Sequence, residues 1–192
     1  METKKRLVVG VSGASGAILA IRILERLREL TEWETHLILS NGARRTIALE
    51  TDYTFGQVEE LAAKNYHVND IGAGIASGTF RTAGMVIVPC SMKTLAGVAN
   101  GFAENLLMRA ADVTLKERRP LVLVPRETPL SRVHLRNLLL ASEAGAVILP
   151  PMVSYYNRPA TIEDVTQQMV GRILDVFDIS APNFHRWKDD GE

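Results

Sequence analysis

Residues 7–17, Leu7-Val8-Val9-Gly10-Val11-Ser12-Gly13-Ala14-Ser15-Gly16-Ala17, decide the fold of this chain. An apolar run of strand length meets three glycines spaced three apart, and an amphipathic stretch from Ile18 to Leu30 follows at once. This order predicts a strand, a tight turn and the start of a helix. The backbone N–H groups of Ala14 to Ala17 should lack partners there, and the small side chains would let an anion approach. We therefore expect a phosphate group at this turn.

The glycine turn differs from the common nucleotide-binding turns. Its glycines form G-x-x-G-x-x-G rather than G-x-G-x-x-G, and the second predicted strand ends in Ser40-Asn41 with no carboxylate for a ribose hydroxyl. The chain also lacks the G-x-x-x-x-G-K-[ST] loop of nucleoside triphosphate sites. A mononucleotide with one terminal phosphate, such as FMN, fits what remains. The alternative is that the glycines serve only close packing of strand and helix.

Composition suits a single-domain protein with no overall charge to attract nucleic acid or a membrane surface. Its 192 residues and 46% hydrophobic content suit one globular domain over residues 1–192, with a polar C-terminal tail from about residue 178. The 22 basic and 22 acidic residues balance, so the overall charge favours neither nucleic acid nor an anionic membrane.

Cysteine and histidine usage predicts a cytoplasmic protein without a metal site. Cys90 is the only cysteine, which excludes an internal disulfide and suggests a reducing compartment. The N-terminal apolar run is too short for a signal peptide, and no apolar run approaches the roughly 18 residues of a membrane span. The four histidines show neither H-x-x-x-H nor C-x-x-C spacing, so we expect no metal.

Apolar strand-length runs alternate with amphipathic helices along the whole chain. We predict strands at 7–11, 34–39, 85–88, 121–124 and 147–149, and helices at about 17–30, 41–49, 55–63, 91–100, 105–117, 135–144 and 161–177. Residues 65–82 are predicted to be a long glycine-containing loop. Continuous apolar strands indicate a three-layer, doubly wound α/β sandwich with a mainly parallel sheet, Rossmann-like or flavodoxin-like.

In such sheets ligands bind beyond the carboxyl ends of the strands, and polar residues collect there in this sequence. The ends are Ser12 to Ser15, Ser40 to Ala43, Cys90 to Thr94, Arg126-Glu127 and Pro151 to Arg158. Ser91 can serve simply as a helix cap, or it can join Met92, Lys93 and Thr94 in offering N–H groups and a hydroxyl. Arg126-Glu127, held between two prolines, is well placed for acid–base work.

Two cations on one predicted helix allow two interpretations. Arg109 and Lys116 lie seven residues apart, on about the same face, with Asp112 between them. They could bind an anion. They could equally belong to a solvated face on which Asp112 pairs with Lys116.

One long segment is highly distinctive: Arg109 to Pro129 reads RAADVTLKERRPLVLVPRETP. It occurs together with GASG at 13–16, LETD at 49–52, PCS at 89–91 and GAVILPP at 145–151. With these segments the chain, from about Arg6 to Trp187, closely resembles the UbiX-like flavin prenyltransferases, long described as aromatic acid decarboxylases. The resemblance implies a homododecameric, FMN-binding α/β protein. It also implies transfer of a dimethylallyl group from dimethylallyl monophosphate to N5 and C6 of reduced FMN, giving prenylated FMN for a separate UbiD-type decarboxylase.

The resemblance also implies roles for individual residues. Ser15, Glu50 and Glu127 would be catalytic, and residues 76–78 would lie beside the prenyl chain together with Trp187. The prenyl phosphate would meet Arg109, Lys116, Tyr156 and Arg172, partly across subunit interfaces. The flavin contacts would be Gly13, Ala14, Ser15, Ser40, Ser91, Met92, Lys93, Thr94 and Arg126.

The chemistry of an allylic phosphate agrees with these residue types. Negative charge grows on the leaving phosphate as its C–O bond stretches, so cations must meet it, and no magnesium is then required. The sequence leaves open whether the donor is the monophosphate or the pyrophosphate. It also leaves open whether Glu127, Glu50 or the released phosphate takes the flavin C6 proton, and which decarboxylase and pathway receive the product.

Two other functions remain as alternatives. One is direct, flavin-dependent decarboxylation of an aromatic acid; the related cysteine decarboxylases carry a P-x-M-N-x-x-M-W segment and a histidine near the first helix, and this chain has neither. The other is a flavin-carrier subunit without a reaction of its own. The cations at Arg109, Lys116 and Arg172 exceed the need of the single FMN phosphate, which argues against a carrier.

Overall fold

Six parallel strands form one sheet in the part of the chain that the computed structural model describes, residues 4–187. The strands are β1 (Lys5–Val11), β2 (Trp33–Leu39), β3 (Lys64–Tyr66), β4 (Gly84–Cys90), β5 (Leu121–Pro125) and β6 (Val147–Ile148). Their order is β3-β2-β1-β4-β5-β6, and every neighbouring pair is parallel. The order therefore reverses between β1 and β4, which is where doubly wound sheets open a crevice for a ligand.

Helices cover both faces of this sheet. They are α1 (Ala17–Arg28), α2 (Asn41–Glu50), α3 (Phe55–Glu60), α4 (Met92–Ala99), α5 (Leu106–Lys116), α6 (Arg132–Glu143) and α7 (Ile162–Asp175), with a 3₁₀ turn at Gly74–Ala76. Alternate strand residues enter two separate cores, because successive side chains of a strand point to opposite faces. In β1, Leu7 and Val9 join the core beneath α1 and α7, whereas Val8 joins the core beneath α4 and α5. The predicted doubly wound α/β sandwich is confirmed.

Side-chain caps start most of these helices. α2 to α7 each begin after a Ser, Thr or Asn whose side-chain oxygen accepts a backbone N–H of the first turn. At Thr54 and Thr161 the cap is a full capping box, because the side chain three residues further on accepts the backbone N–H of the capping residue. α1 is the exception, because it follows Gly16, whose φ of 108° is left-handed and favours glycine.

The structure differs from the sequence prediction in two stretches. Residues 65–82, predicted to be one loop, contribute to a third strand, β3, and to the 3₁₀ turn. β3 escaped prediction because it has only three residues, two of them polar and exposed. The helix predicted from residue 135 begins at Arg132, because Ser131 and His134 form a capping box in which histidine replaces the usual Glu or Gln.

Within residues 4–187 no helix is both long and apolar enough to cross a membrane. Across the same residues no three His, Cys, Asp or Glu side chains gather in a group that could hold a metal ion. Cys90 is free and fully buried, and its burial raises the pKa of the thiol to about 12.

Candidate active site

A cavity of about 460 Å³ lies at the carboxyl ends of β1, β2 and β4. This volume falls within the roughly 300–1,000 Å³ typical of small-molecule sites. Five of the predicted flavin contacts line it: Gly13, Ser40, Ser91, Lys93 and Thr94. Several other residues line the cavity without a predicted role, among them Ser12, Asn41, Gly42, Asn69, Asn105 and Met108. Ser12, Asn41 and Gly42 belong to the predicted strand ends, and Asn69 belongs to the predicted loop at 65–82, in which no single residue stood out.

Two loops meet at glycines on the wall of this cavity. A Cβ placed on Gly13 would stand 2.8 Å from the Cα of Gly42, a distance that real Cβ atoms essentially never show. Glycine is therefore required at both positions for the loops after β1 and β2 to approach each other. Both glycines line the cavity, so its wall is formed by backbone at this point.

The loops after β1 and β4 are joined across the point where the strand order reverses. The Ser12 hydroxyl donates to the carbonyl oxygen of Pro89 at 2.9 Å and accepts the backbone N–H of Ser91 at 2.7 Å. Ser91 in turn caps α4 by accepting the N–H of Thr94 at 3.3 Å, as predicted. The N–H groups of Met92 and Lys93 have no partner among the described residues, so the start of α4 offers donors for an anion.

At the start of α1, where a phosphate was predicted, the backbone N–H groups bind a carboxylate of the protein itself. Gly16 and Ala17 donate their N–H groups to Glu50 Oε2 at 2.8 and 3.1 Å, and the Ala14 N–H donates to the Ser12 carbonyl at 3.0 Å. The prediction of free N–H groups was therefore wrong for these three residues. A carboxylate at the end of α2 meets the positive end of α1, a contact that stabilises both. Free donors for a phosphate are present at the start of α4.

A second cavity, of about 280 Å³, lies beyond β6 and contains Tyr156 and Arg172. The Tyr156 hydroxyl donates to the His185 carbonyl at 3.1 Å and accepts Gln168 Nε2 at 2.9 Å. Trp187 stands edge-on to the Tyr156 ring, with 5.3 Å between the ring centroids. The structure thus gathers three of the predicted prenyl-site residues, Tyr156, Arg172 and Trp187, in one place.

The other predicted phosphate ligands stand on α5 and line neither of these cavities. Arg109 donates to Asp112 at 2.6 Å, and Lys116 donates to Glu117 at 2.5 Å. The alternative pairing of Asp112 with Lys116 was therefore wrong. The hydrogen bond from Lys116 holds the pKa of Glu117 below its usual value.

The remaining predicted residues lie at the carboxyl edge, in loops except for Met92, which begins α4. Arg126 and Glu127 follow β5 and are exposed, and the Arg126 N–H donates to the Cys90 carbonyl at 3.2 Å. Ala14, Ser15, Met92, Arg126 and Glu127 line neither of the two cavities. Ser15 lies in the turn before α1, next to the N–H groups that hold Glu50.

The connection between β3 and β4, which we call the 67–82 loop, runs along α5 and is tied at both ends. Near its start, the Val68 carbonyl accepts the N–H of Leu106 at 2.8 Å. Near its end, the Arg119 guanidinium donates to the carbonyls of Gly78 and Phe80 at 2.7 and 2.8 Å. The loop supplies Val68 and Asn69 to the wall of the first cavity. Its 3₁₀ turn contains Ala76, which was predicted to lie beside the prenyl chain.

Fold and site together define a parallel α/β protein with a mononucleotide-sized cavity at its switch point. The family model described as Flavoprotein matches residues 1–179. The flavin prenyltransferase UbiX of Escherichia coli (strain K12) is 53% identical over 186 residues, covering 96% of this chain and 98% of the relative. The chain belongs to the UbiX-like flavin prenyltransferases within the flavoprotein family, as the segment from Arg109 to Pro129 predicted.

Solved structures extend this similarity to three dimensions. A crystal structure of AnUbiX (PadA1) in complex with FMN and dimethylallyl pyrophosphate matches with a TM-score of 0.93 and 52% identity, covering 96% of this chain and 97% of that one. The dodecameric FMN-dependent UbiX-like decarboxylase from Escherichia coli O157:H7 matches with a TM-score of 0.93 and 49% identity, covering 95% and 98%.

Proposed function

We propose that this chain transfers a dimethylallyl group from dimethylallyl monophosphate to N5 and C6 of reduced FMN. Prenylated FMN, the product, then serves a UbiD-type decarboxylase. The observation that carries the proposal is the first cavity. It is a polar pocket with free helix donors, located at the switch point of a chain that belongs to the flavin prenyltransferases.

The residues of the first cavity fit a flavin mononucleotide. Unpaired N–H groups at the start of α4, with the hydroxyl of Thr94, suit a terminal phosphate. Lys93 lies 3.7 Å from Glu104 and is 82% exposed, and because such surface pairs contribute little, it is available to an incoming anion. We propose Ala14, Ser15, Met92 and Arg126 as the remaining contacts.

When bound, the reduced flavin supplies the nucleophilic ring positions, and the protein must stabilise the departing phosphate. We assign that task to Arg109, Lys116, Tyr156 and Arg172, in a reaction without metal. A donor aimed at charge that develops in the transition state typically contributes about 3 kcal/mol. Exposure of 37% for Arg109 and 46% for Lys116 leaves both cations accessible to a phosphate, although each already has an acidic neighbour.

The proposed phosphate ligands form two groups within one protomer, which supports a site shared between subunits. One group surrounds the second cavity and the other stands on α5. Large apolar side chains are exposed over several elements, among them Leu49, Val133, Leu135, Leu139, Tyr155 and Ile162. Patches of this kind mark interaction surfaces. We therefore propose a homododecamer, like the E. coli O157:H7 relative, acting in the cytoplasm.

Three residues are proposed to act on the reacting atoms. Glu50 is held at the start of α1 by two backbone donors, so its position is fixed. Glu127 is exposed at the carboxyl edge, next to the proposed flavin contact Arg126. Either carboxylate, or the released phosphate, can accept the proton that leaves flavin C6. Ser15, in the turn before α1, would orient the phosphate or the reacting edge.

Mass spectrometry of the flavin released after anaerobic incubation tests the function. Pure protein is given reduced FMN with either dimethylallyl monophosphate or dimethylallyl pyrophosphate. We expect a mass gain of one five-carbon prenyl unit with the monophosphate, lost in Lys116→Ala and Arg172→Ala and retained in the surface control Arg28→Ala. Efficient use of the pyrophosphate alone would contradict the proposed donor.

Two outcomes favour other functions. If FMN binds but is released unmodified, the chain is a flavin carrier or a direct decarboxylase. Carbon dioxide released from aromatic acids by the flavin-loaded protein would then identify the decarboxylase.

A further inference from the structure

A buried histidine outside both cavities has hydrogen bonds at both ring nitrogens. His36, in β2, is 1% exposed; its Nε2 lies 2.8 Å from Glu34 Oε1 and its Nδ1 lies 2.8 Å from the Tyr66 hydroxyl. An ionised carboxylate can only accept, so Nε2 carries the proton. Nδ1 is then an acceptor, and Tyr66 donates to it. This geometry suits a neutral imidazole with its proton on Nε2.

The surroundings of His36 keep it neutral. Phe80 packs edge-on against the imidazole at 5.3 Å, and the Arg6 guanidinium lies over Phe80 at 4.6 Å. Burial lowers the pKa of His36, the charges of Arg6 and Lys64 lower it further, and Glu34 opposes them. Burial of Tyr66 raises the pKa of its phenol, the charges of Glu34 and of Asp70 on the loop raise it further, and Arg6 opposes them. The guanidinium of Arg119 reaches only backbone carbonyls and Thr82 in this region.

Tyr66 connects this network to the first cavity. It is the last residue of β3, which pairs with β2 over only three residues. Two residues further on, Val68 and Asn69 line the cavity, and Val68 is tied to the start of α5. The hydrogen bond between Tyr66 and His36 is thus a side-chain anchor for an edge strand that has few backbone bonds of its own.

We propose that His36 and Tyr66 are positioning residues for the flavin site, fixing β3 and, through it, the cavity wall at Val68 and Asn69. The inference rests on the proposed function, because it takes FMN as the ligand of the first cavity. Neutral His36 accepts the Tyr66 proton. Doubly protonated His36 would instead donate its Nδ1–H to the phenol oxygen, and the phenol must turn its own proton away from the ring. The buried site next to Arg6 and Lys64 disfavours the charged imidazole, so acid favours release of this anchor and loosens the wall.

Titration of FMN against the full-length protein tests the anchor, with quenching of flavin fluorescence as the signal. Tyr66→Phe keeps the ring and removes only the hydroxyl, so we expect FMN to bind about five-fold more weakly, the effect of one hydrogen bond. Tyr53→Phe is the matched control, because its hydroxyl donates to Glu25 at 2.6 Å on the other face of the sheet. We expect the affinity of Tyr53→Phe for FMN to equal that of wild type. Turnover at saturating flavin should be the same in all three proteins.

A pH series separates this role from a purely structural one. Wild-type affinity should fall between pH 7.5 and 5.5 more steeply than that of His36→Gln, which has no imidazole to protonate. The comparison also cancels titration of the FMN phosphate, whose second pKa is about 6. His134→Gln, at the cap of α6, should keep the wild-type profile.

The other outcomes overturn either this inference alone or the proposed function together with it. Equal FMN affinity in Tyr66→Phe and wild type, or a wild-type pH profile in His36→Gln, would overturn the inference alone. Failure of the wild-type protein to bind FMN would overturn the proposed function and, with it, this inference.

Discussion

At the scale of single residues, the shape of the candidate site depends on two contacts, one between glycine backbones and one made by a single carboxylate. Gly13 and Gly42 touch backbone to backbone, and Glu50 bridges α2 to the first N–H groups of α1. Neither contact is visible in the sequence, since each joins residues that lie about 30 positions apart. The sequence did place both residues of the Ser91–Thr94 cap at the site, because capping is local.

Gly13→Ala should destabilise the protein and weaken FMN binding. The new Cβ would force the two loops apart, and overpacking of this kind typically costs about 1–3 kcal/mol. Urea unfolding and flavin titration measure the two effects. Gly56→Ala is the control, because a Cβ there meets nothing within 4 Å and the residue is helical, so its stability should be unchanged or slightly higher.

Glu127→Gln should leave FMN binding intact and slow formation of prenylated flavin by about 100-fold or more, the usual effect of losing a general acid or base. Single-turnover assays with reduced FMN measure the rate. Glu50→Gln provides the comparison. It removes a negative charge from the start of α1, so it should also reduce the free energy of unfolding by about 0.5 kcal/mol. Unchanged turnover in Glu127→Gln would exclude an acid–base role for this carboxylate.

At the scale of elements, periodicity and caps predicted all seven helices and five of the six strands described between residues 4 and 187. These signals are local, so they survive without knowledge of the fold. β3 could not be predicted, because its strand character comes from pairing with β2 and from the His36 anchor. The same holds for the 67–82 loop, whose course is set by contacts with α5 and Arg119.

Arg119→Ala should release the far end of the 67–82 loop. Hydrogen bonds from a charged donor are worth about 1.5–3 kcal/mol, so local opening of residues 78–82 should become more frequent by at least about ten-fold. Amide hydrogen exchange read by mass spectrometry measures this. Arg28→Ala, a surface change on α1, should leave exchange in the loop unaltered, and the exchange of residues 5–11 in β1 should not change in either variant.

At the scale of the whole molecule, the sheet places the flavin cavity within one protomer but leaves the proposed phosphate ligands apart. The sequence resemblance predicted such a division, whereas composition and spacing gave no sign of it. The exposed apolar face of α6 offers a surface on which copies can associate. Leu135 and Leu139, four residues apart on one face of the helix, are 53% and 58% exposed there.

Leu139→Glu should reduce the assembly to smaller species and abolish prenyl transfer. A charge in an apolar contact carries a large desolvation cost, whereas Leu139→Met preserves the contact and should behave as wild type. Native mass spectrometry compares each species with multiples of the 21.1 kDa chain. A wild-type particle of fewer than twelve chains would contradict the proposed homododecamer.

Stability should fall in mild acid because of His36. Burial lowers its pKa in the folded protein below the ordinary value of 6.5, so the unfolded chain binds the proton more readily. The contribution of His36 to the free energy of unfolding is therefore complete above pH 6.5. It is lost as the pH falls below 6.5 towards the pKa of His36 in the folded protein. Urea unfolding at pH 7.5 and 5.5 should show a larger decrease for wild type than for His36→Gln. Equal decreases would show that other groups dominate.

The two strands at the margins of the sheet, β3 and β6, have only three and two residues, whereas β1 and β4 beside its centre have seven each. An incoming strand would find almost no unpaired backbone on either margin, which is how natural sheets resist edge-to-edge aggregation. The protein exposes large apolar side chains on several elements, and these short margins keep its sheet closed to uncontrolled growth. Two copies can associate through helices and loops, where side chains determine which partner binds. They cannot associate through unpaired strand backbone, the kind of contact from which amyloid grows.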